Sequence, residues 1–169
     1  EAEREMAYCD RHGIAIVAAT DEGYSEKLRF IADRPHILYI KGDIEALSAE
    51  HVVSVVGTRR MTPYGELMCN RIIESLAEHY PDTVVVSGLA YGIDAAAHRA
   101  ALAAGLRTVG VVANALPSVT PATNRALAED MLRNAGAVAS EVSSQTRQNG
   151  NLYIPRNRIV AGLCDGLIV

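Results

Sequence analysis

The sequence predicts an α/β fold: an open, mostly parallel sheet with helices between its strands and a short N-terminal extension. Two patterns point there. Short β-branched apolar blocks stand at Val52–Val56, Thr83–Val86 and Thr108–Val112, as expected for strands buried on both faces. Helical patterns fill the gaps, and such alternation means βαβ units on a parallel sheet. Size agrees: 169 residues, 49% hydrophobic and 21% charged, suit one ordinary domain with its own core. The expected architecture is doubly wound and Rossmann-like, with ligands bound outside the carboxyl ends of the strands.

The elements follow in order. Residues 1–22 hold a helical stretch and the apolar run Ile14–Ala19. They are set apart as an N-terminal segment, the remnant of an upstream module, from a main domain at 23–169. A shorter run, Ile37–Ile40, follows. Pro63 to His79 reads as a helix, with Thr62 at the N-cap and Pro in the first turn. Leu67, Arg71, Ile72 and Leu76 keep helical spacing along it. Ile93–Ala104 is Ala-rich, with Asp94 near its start and Gly105 past its end. Thr123–Asn134 is a third helix, closed by Gly136. Ala137–Ala139 and Leu167–Val169 are weaker strands. An end inside that last run suggests a domain fragment with a truncated C-terminus.

Composition narrows the function. No apolar run is long enough to cross a bilayer, so no membrane role is expected. Glu1-Ala2-Glu3-Arg4-Glu5 is unlike a signal peptide. Cys9, Cys69 and Cys164 are scattered, without metal spacing or a disulfide framework. A reducing, cytoplasmic setting is the default. The net charge is −4, against a generally basic nucleic-acid binder. Its distribution is uneven: residues 1–50 carry 11 acids and 6 bases, residues 51–169 carry 9 acids and 10 bases. No acid lies between Val142 and Cys164, where Arg147, Arg156 and Arg158 stand, nor from His51 to Gly65, where Arg59 and Arg60 stand. Arg forks onto phosphate and stacks on bases better than Lys.

Three segments carry candidate chemistry. The first strand exit is Val56-Gly57-Thr58-Arg59-Arg60, before the helix at Pro63. Small residues admit a ligand to the backbone, and helix N-terminal amides attract anions. The alternative is a tight turn with two solvated arginines. The second exit is Ser87-Gly88-Leu89-Ala90-Tyr91-Gly92-Ile93-Asp94, with amides of Ser87 through Ala90 able to line the same crevice. Asp94 reads as a cap or first-turn acid, and Asp94 with His98 as a structural pair rather than acid–base machinery. The third is Tyr153-Ile154-Pro155-Arg156-Asn157-Arg158, suited to phosphate contacts and base stacking, or else a surface loop entering a helix at Ile159–Leu163. Neither G-x-G-x-x-G nor a Walker A loop is present.

These segments carry a family resemblance. Val56–Arg60 with Tyr64-Gly65, Ser87–Asp94, Ala97-His98, Ala100–Leu102, Pro121, Asn124, Ser140-Glu141 and Arg156–Leu163 resemble, in order, the DprA/Smf family of bacterial DNA-processing proteins. Upstream, Tyr24, Leu28, Ile31, Asp33, Pro35, Leu38-Tyr39 and Gly42 match the lead into that family's Rossmann domain. The resemblance spans Gly23 to Val169. It departs at Tyr91, often Arg or Lys in such proteins, at Ala115 for a usual Gly, at Thr120 for an aromatic and at Ser25 for a Pro.

The resemblance implies binding of single-stranded DNA without strong sequence preference and delivery of that strand to the recombinase RecA in natural transformation. It further implies action alongside single-strand-binding protein, a homodimer, no cofactor, no metal and no catalytic residue. The implied binding residues are Gly57, Thr58, Arg59, Arg60, Ser87, Gly88, Leu89, Ala90, Tyr91, Gly92, Tyr153, Arg156, Asn157 and Arg158. The arginines supply charge, the turns supply amides, and Tyr153 and Tyr91 stack bases. The acidic residues 1–22 are expected away from the strand. The rival is a nucleotide-processing enzyme of the phosphoribohydrolase, lysine-decarboxylase-like type, but its P-G-G-x-G-T-x-x-E segment is absent. Glu141 is the one acid at a strand end in the later half. A third reading is an interaction scaffold with a vestigial pocket.

Overall fold

Val84, Val85 and Val86 are each fully buried, though alternate side chains of a strand point to opposite faces. Both faces must therefore be covered, and in the computed structural model they are. It describes residues 1–146 and 152–169. The elements are α1 (Ala2–His12), β1 (Ala15–Ala18), α2 (Glu26–Arg29), β2 (Ile37–Gly42), β3 (Val52–Val55), α3 (Pro63–His79), β4 (Val84–Ser87), α4 (Ile93–Ala103), β5 (Thr108–Val111), α5 (Arg125–Arg133), β6 (Ala137–Ser140), α6 (Tyr153–Gly162) and β7 (Gly166–Ile168). A 3-10 turn covers Ile44–Ser48 and another Ala122–Asn124.

The sheet has seven strands in the order β1-β2-β6-β5-β4-β3-β7. Strands β3 to β7 run parallel, while β1 pairs antiparallel with β2, and β2 with β6. One face packs Val84, Val86, Val109 and Val111 against Leu28 of α2, Ile159 and Val160 of α6 and Leu163 just after it. On the other face Val85 meets Ile73 of α3 and Ala97 and Ala101 of α4, and Val138 meets Leu127 and Met131 of α5. The fold is α/β with a mostly parallel sheet flanked by helices, as the sequence predicts. Five alanines of α4 are buried, and their small side chains let α3 and the sheet approach closely.

Thr62 caps α3 as expected, its Oγ1 accepting from the Gly65 amide at 3.1 Å. Other local expectations need correction. The helix placed at Thr123–Asn134 is a 3-10 turn followed by α5, because Asn124 turns its side chain to another loop. Tyr153–Arg158 is no loop: it forms the opening turns of α6. Pro155 is the third helical residue, where a backbone N–H has no intrahelical partner to lose.

Within residues 1–22, Ala15–Ala18 forms β1, the edge strand of the same sheet. From α1, the Tyr8 hydroxyl donates to Leu116 O (3.2 Å), after β5. The Glu5 carboxylate accepts from the amide and hydroxyl of Ser144 (2.8 and 2.6 Å), after β6. No helix among the described residues is long and apolar enough to cross a membrane.

Candidate nucleic-acid interface

Two turns meet at the carboxyl ends of β3 and β4. The first runs from Gly57 to α3, and Thr58 Oγ1 accepts from the Arg60 amide (3.1 Å). The second runs from Gly88 to Gly92, where α4 begins. They lock together: the Ile93 amide donates to Thr58 O (3.2 Å). A Cβ on Gly57 would stand 2.7 Å from the Ile93 side chain, and one on Gly92 would overlap the Thr58 carbonyl. Gly92 also has φ +74, which L side chains avoid. Below them the Ser87 hydroxyl donates to Val55 O (2.6 Å), tying the two strand ends.

Leu89 is the strained position. It has φ +55 and no exposure, an arrangement that persists only where its surroundings enforce it. Its side chain sits in the core with Met131. Asn124 Nδ2 donates to both Leu89 O and Ala90 O (3.0 and 3.1 Å). Asn124 matches the family pattern, but nothing in its spacing announced this hold on a loop 34 residues upstream.

Of the sequence-predicted cations, Arg59 and Arg60 face solvent. The Arg59 guanidinium lies over the Tyr153 ring, 5.1 Å from its centroid, a cation–π pair at the mouth of the crevice. Tyr91 is half exposed. The Gly57 and Thr58 turn, the Ser87–Gly92 loop and Tyr153 thus share one edge. Arg147, also counted among the cations, lies outside the described residues.

Arg156 and Arg158 are placed otherwise. Arg156 is 5% exposed. Its Nη1 donates to Gly88 O (2.5 Å) and Val111 O, and its Nε to Asn157 Oδ1 (3.2 Å). Burial lowers its pKa, and Asp94 opposes that. Arg158 forks onto Glu141 with two bonds of 2.7 Å. Its Nε also meets Asp33 O (2.8 Å) and Asp33 Oδ2 (3.2 Å). The hydrogen bond to Glu141 is the main reason its pKa rises. Asn157 is exposed beside them.

Asp94 is 6% exposed, deeper than a first-turn cap requires. Burial raises its pKa, while Arg156, the Ala90 and Gly88 amides and the Ser87 hydroxyl favour its charge. His98 does not pair with it. Its Nδ1 meets Thr108 Oγ1 (2.7 Å), whose hydroxyl donates to Val85 O, so the imidazole donates from Nδ1. Burial pushes its pKa down to about 3, leaving a neutral structural ring. Among the described residues no group of His, Cys, Asp and Glu is placed to hold a metal ion.

The family described as DNA recombination-mediator protein A matches residues 15–169. DNA processing protein DprA of Bacillus subtilis is 34% identical over 98% of this chain and 55% of its own length. Protein Smf of Escherichia coli is 31% identical over 99% of this chain and 44% of its own. The chain spans about half the length of the curated relatives it matches. The X-ray structure of DNA processing protein A from Streptococcus pneumoniae superposes with a TM-score of 0.84 at 34% identity, covering 96% of this chain and 56% of that one. A Helicobacter pylori DNA processing protein A, described for its single-stranded DNA binding mode, gives 0.75 at 26% identity over 90% of this chain and 67% of its own. Motif order, sheet and sequence similarity agree that the chain belongs to the DNA recombination-mediator protein A family, the DprA/Smf proteins.

Proposed function

We propose that the chain binds single-stranded DNA at the carboxyl edge of its sheet and serves as a recombination mediator that delivers the strand to RecA. The Arg59–Tyr153 pair carries this reading. It sets a charge and an aromatic face together above two amide-rich turns, the combination that grips a phosphate and stacks a base regardless of sequence. Arg60 adds a second exposed cation, and Tyr91 a second ring. Arg156 and Arg158 serve from behind, fixing α6. The Helicobacter pylori relative, described for its single-stranded DNA binding, and the family's description as a mediator support the assignment. Action as a cytoplasmic homodimer, past single-strand-binding protein and without a cofactor, belongs to the same proposal.

A non-enzymatic role fits the side chains. Both carboxylate oxygens of Glu141 are held by Arg158, and His98 is buried and neutral. Fluorescence anisotropy of labelled oligo-dT at two salt concentrations tests binding, with duplex DNA and AMP as competitors. Salt-sensitive binding that duplex and AMP do not displace is expected. Displacement by AMP with release of free base would restore the phosphoribohydrolase reading. RecA assembly on strands coated with single-strand-binding protein tests delivery, and no acceleration by the protein would remove that part.

A further inference from the structure

Asp94 and Arg156 converge on the atom that Gly88 lacks. A Cβ there would stand 2.5 Å from Asp94 Oδ2 and 2.6 Å from Arg156 Nη2. Asp94 comes from α4 and Arg156 from α6, and both are more than nine-tenths buried. A guanidinium so enclosed needs a counter-charge, because a buried charge without one is costly. Each favours the charged form of the other. A residue placed to meet phosphate in solvent would require no such partner.

The contacts close a ring around the crevice. Arg156 holds Gly88 O at the head of the second turn and Val111 O at the end of β5. One helical turn before it on α6, Tyr153 lies under Arg59. Arg59 belongs to the turn that is bonded through Thr58 O to Ile93, the neighbour of Asp94. A shift of the second turn relative to α6 would break the bond from Arg156 to Gly88 O and move Asp94 away from Arg156.

We infer that Asp94 and Arg156 are a coupled pair of positioning residues: straddling Gly88, they hold the Gly88–Gly92 loop on α6 and so align Arg59 with Tyr153 for the strand. This rests on strand binding at that edge. The test uses Arg156→Gln, Asp94→Asn and the double variant, read by oligo-dT anisotropy across a salt series. Each single variant is expected to weaken binding about tenfold, and the double about as much as the weaker of the two singles, since both changes release the same loop and coupled sites do not add. The salt slope stays unchanged throughout. A double variant about a hundredfold weaker than the wild type, the product of two independent losses, overturns the proposal, as does a slope shallower by about 0.7 in Arg156→Gln, the mark of a lost phosphate contact.

If Arg156→Gln does not fold, Arg156→Lys keeps the charge but cannot bridge Gly88 O and Val111 O. A similar tenfold loss at unchanged slope supports the pair, and full retention of affinity overturns it. If the wild type fails to bind oligo-dT at low salt, the strand-binding reading falls and amide exchange of residues 88–92 decides. Faster exchange in both single variants, with no further rise in the double, supports the pair; equal protection in all four overturns it.

Discussion

Two pairs of arginines stand at the same sheet edge in opposite settings. Arg59 and Arg60 sit on a turn with no carboxylate nearby in the chain and remain in solvent. Arg156 and Arg158 sit on a helix whose other flank packs into the core through Ile159 and Val160. That packing draws the second pair inward, where Arg156 bonds the Gly88 and Val111 carbonyls with Asp94 across Gly88, and Arg158 pairs with Glu141 and Asp33. An arginine motif therefore does not by itself place its side chains in solvent. The distinguishing feature is whether the element carrying it is anchored.

The largest effect probes the scaffold that both pairs share. Gly92→Ala places a Cβ on the Thr58 carbonyl at a positive φ. We expect a loss of about 3 kcal/mol or more, combining backbone strain and overpacking, measured by denaturant unfolding. A loss below about 1 kcal/mol would mean that the two turns are not locked. Next is Arg158→Ala. It leaves Glu141 without its fork, and both groups are about three-quarters buried. A cost of about 2 kcal/mol is expected, with the oligo-dT salt slope unchanged. A slope shallower by about 0.7 would move Arg158 to the solvent-facing pair.

How much of this was legible in the sequence follows the same division. The strands, α3 and α4 were readable because continuous valine blocks, Thr62-Pro63 and the alanines of α4 report on local structure. The glycine turns were readable because a turn between strand and helix is local too. The placement of Arg156 and Arg158 was not, since it depends on Gly88, Val111 and Glu141, which lie 68, 45 and 17 residues away. Nor was the grip of Asn124 on Leu89, or the antiparallel pairing of β1 with β2. Pro155 invited a loop where a helix's first turn accommodates it.

Arg59→Ala sharpens the comparison from the other side. Arg59 is exposed, and its contact among the described residues is the Tyr153 ring. Stability should move by less than about 0.5 kcal/mol. Affinity for oligo-dT should fall about tenfold, alike for all strand sequences, with the salt slope shallower by about 0.7. Unchanged affinity and slope would refute the placement of the strand at this turn.

The smallest effect tests how α6 is reached rather than how it is held. Glu5 of α1 binds Ser144 at the start of the connection from β6 to α6, although residues 1–14 lie outside the family match. Burial opposes its ionisation, but the bonds from Ser144 outweigh it and set its pKa below 4.5. A carboxylate with a lowered folded-state pKa stabilises the fold above its unfolded pKa and loses that contribution as pH falls through the folded value. Glu5→Gln should therefore cost about 1 kcal/mol at pH 7, with the gap from the wild type closing as pH drops below 4.5. If the gap persists in acid, packing of the side chain holds α1 rather than its charge. If Glu5→Gln leaves stability unchanged at pH 7 while oligo-dT binding weakens, the N-terminal helix acts on the strand site through the connection it tethers.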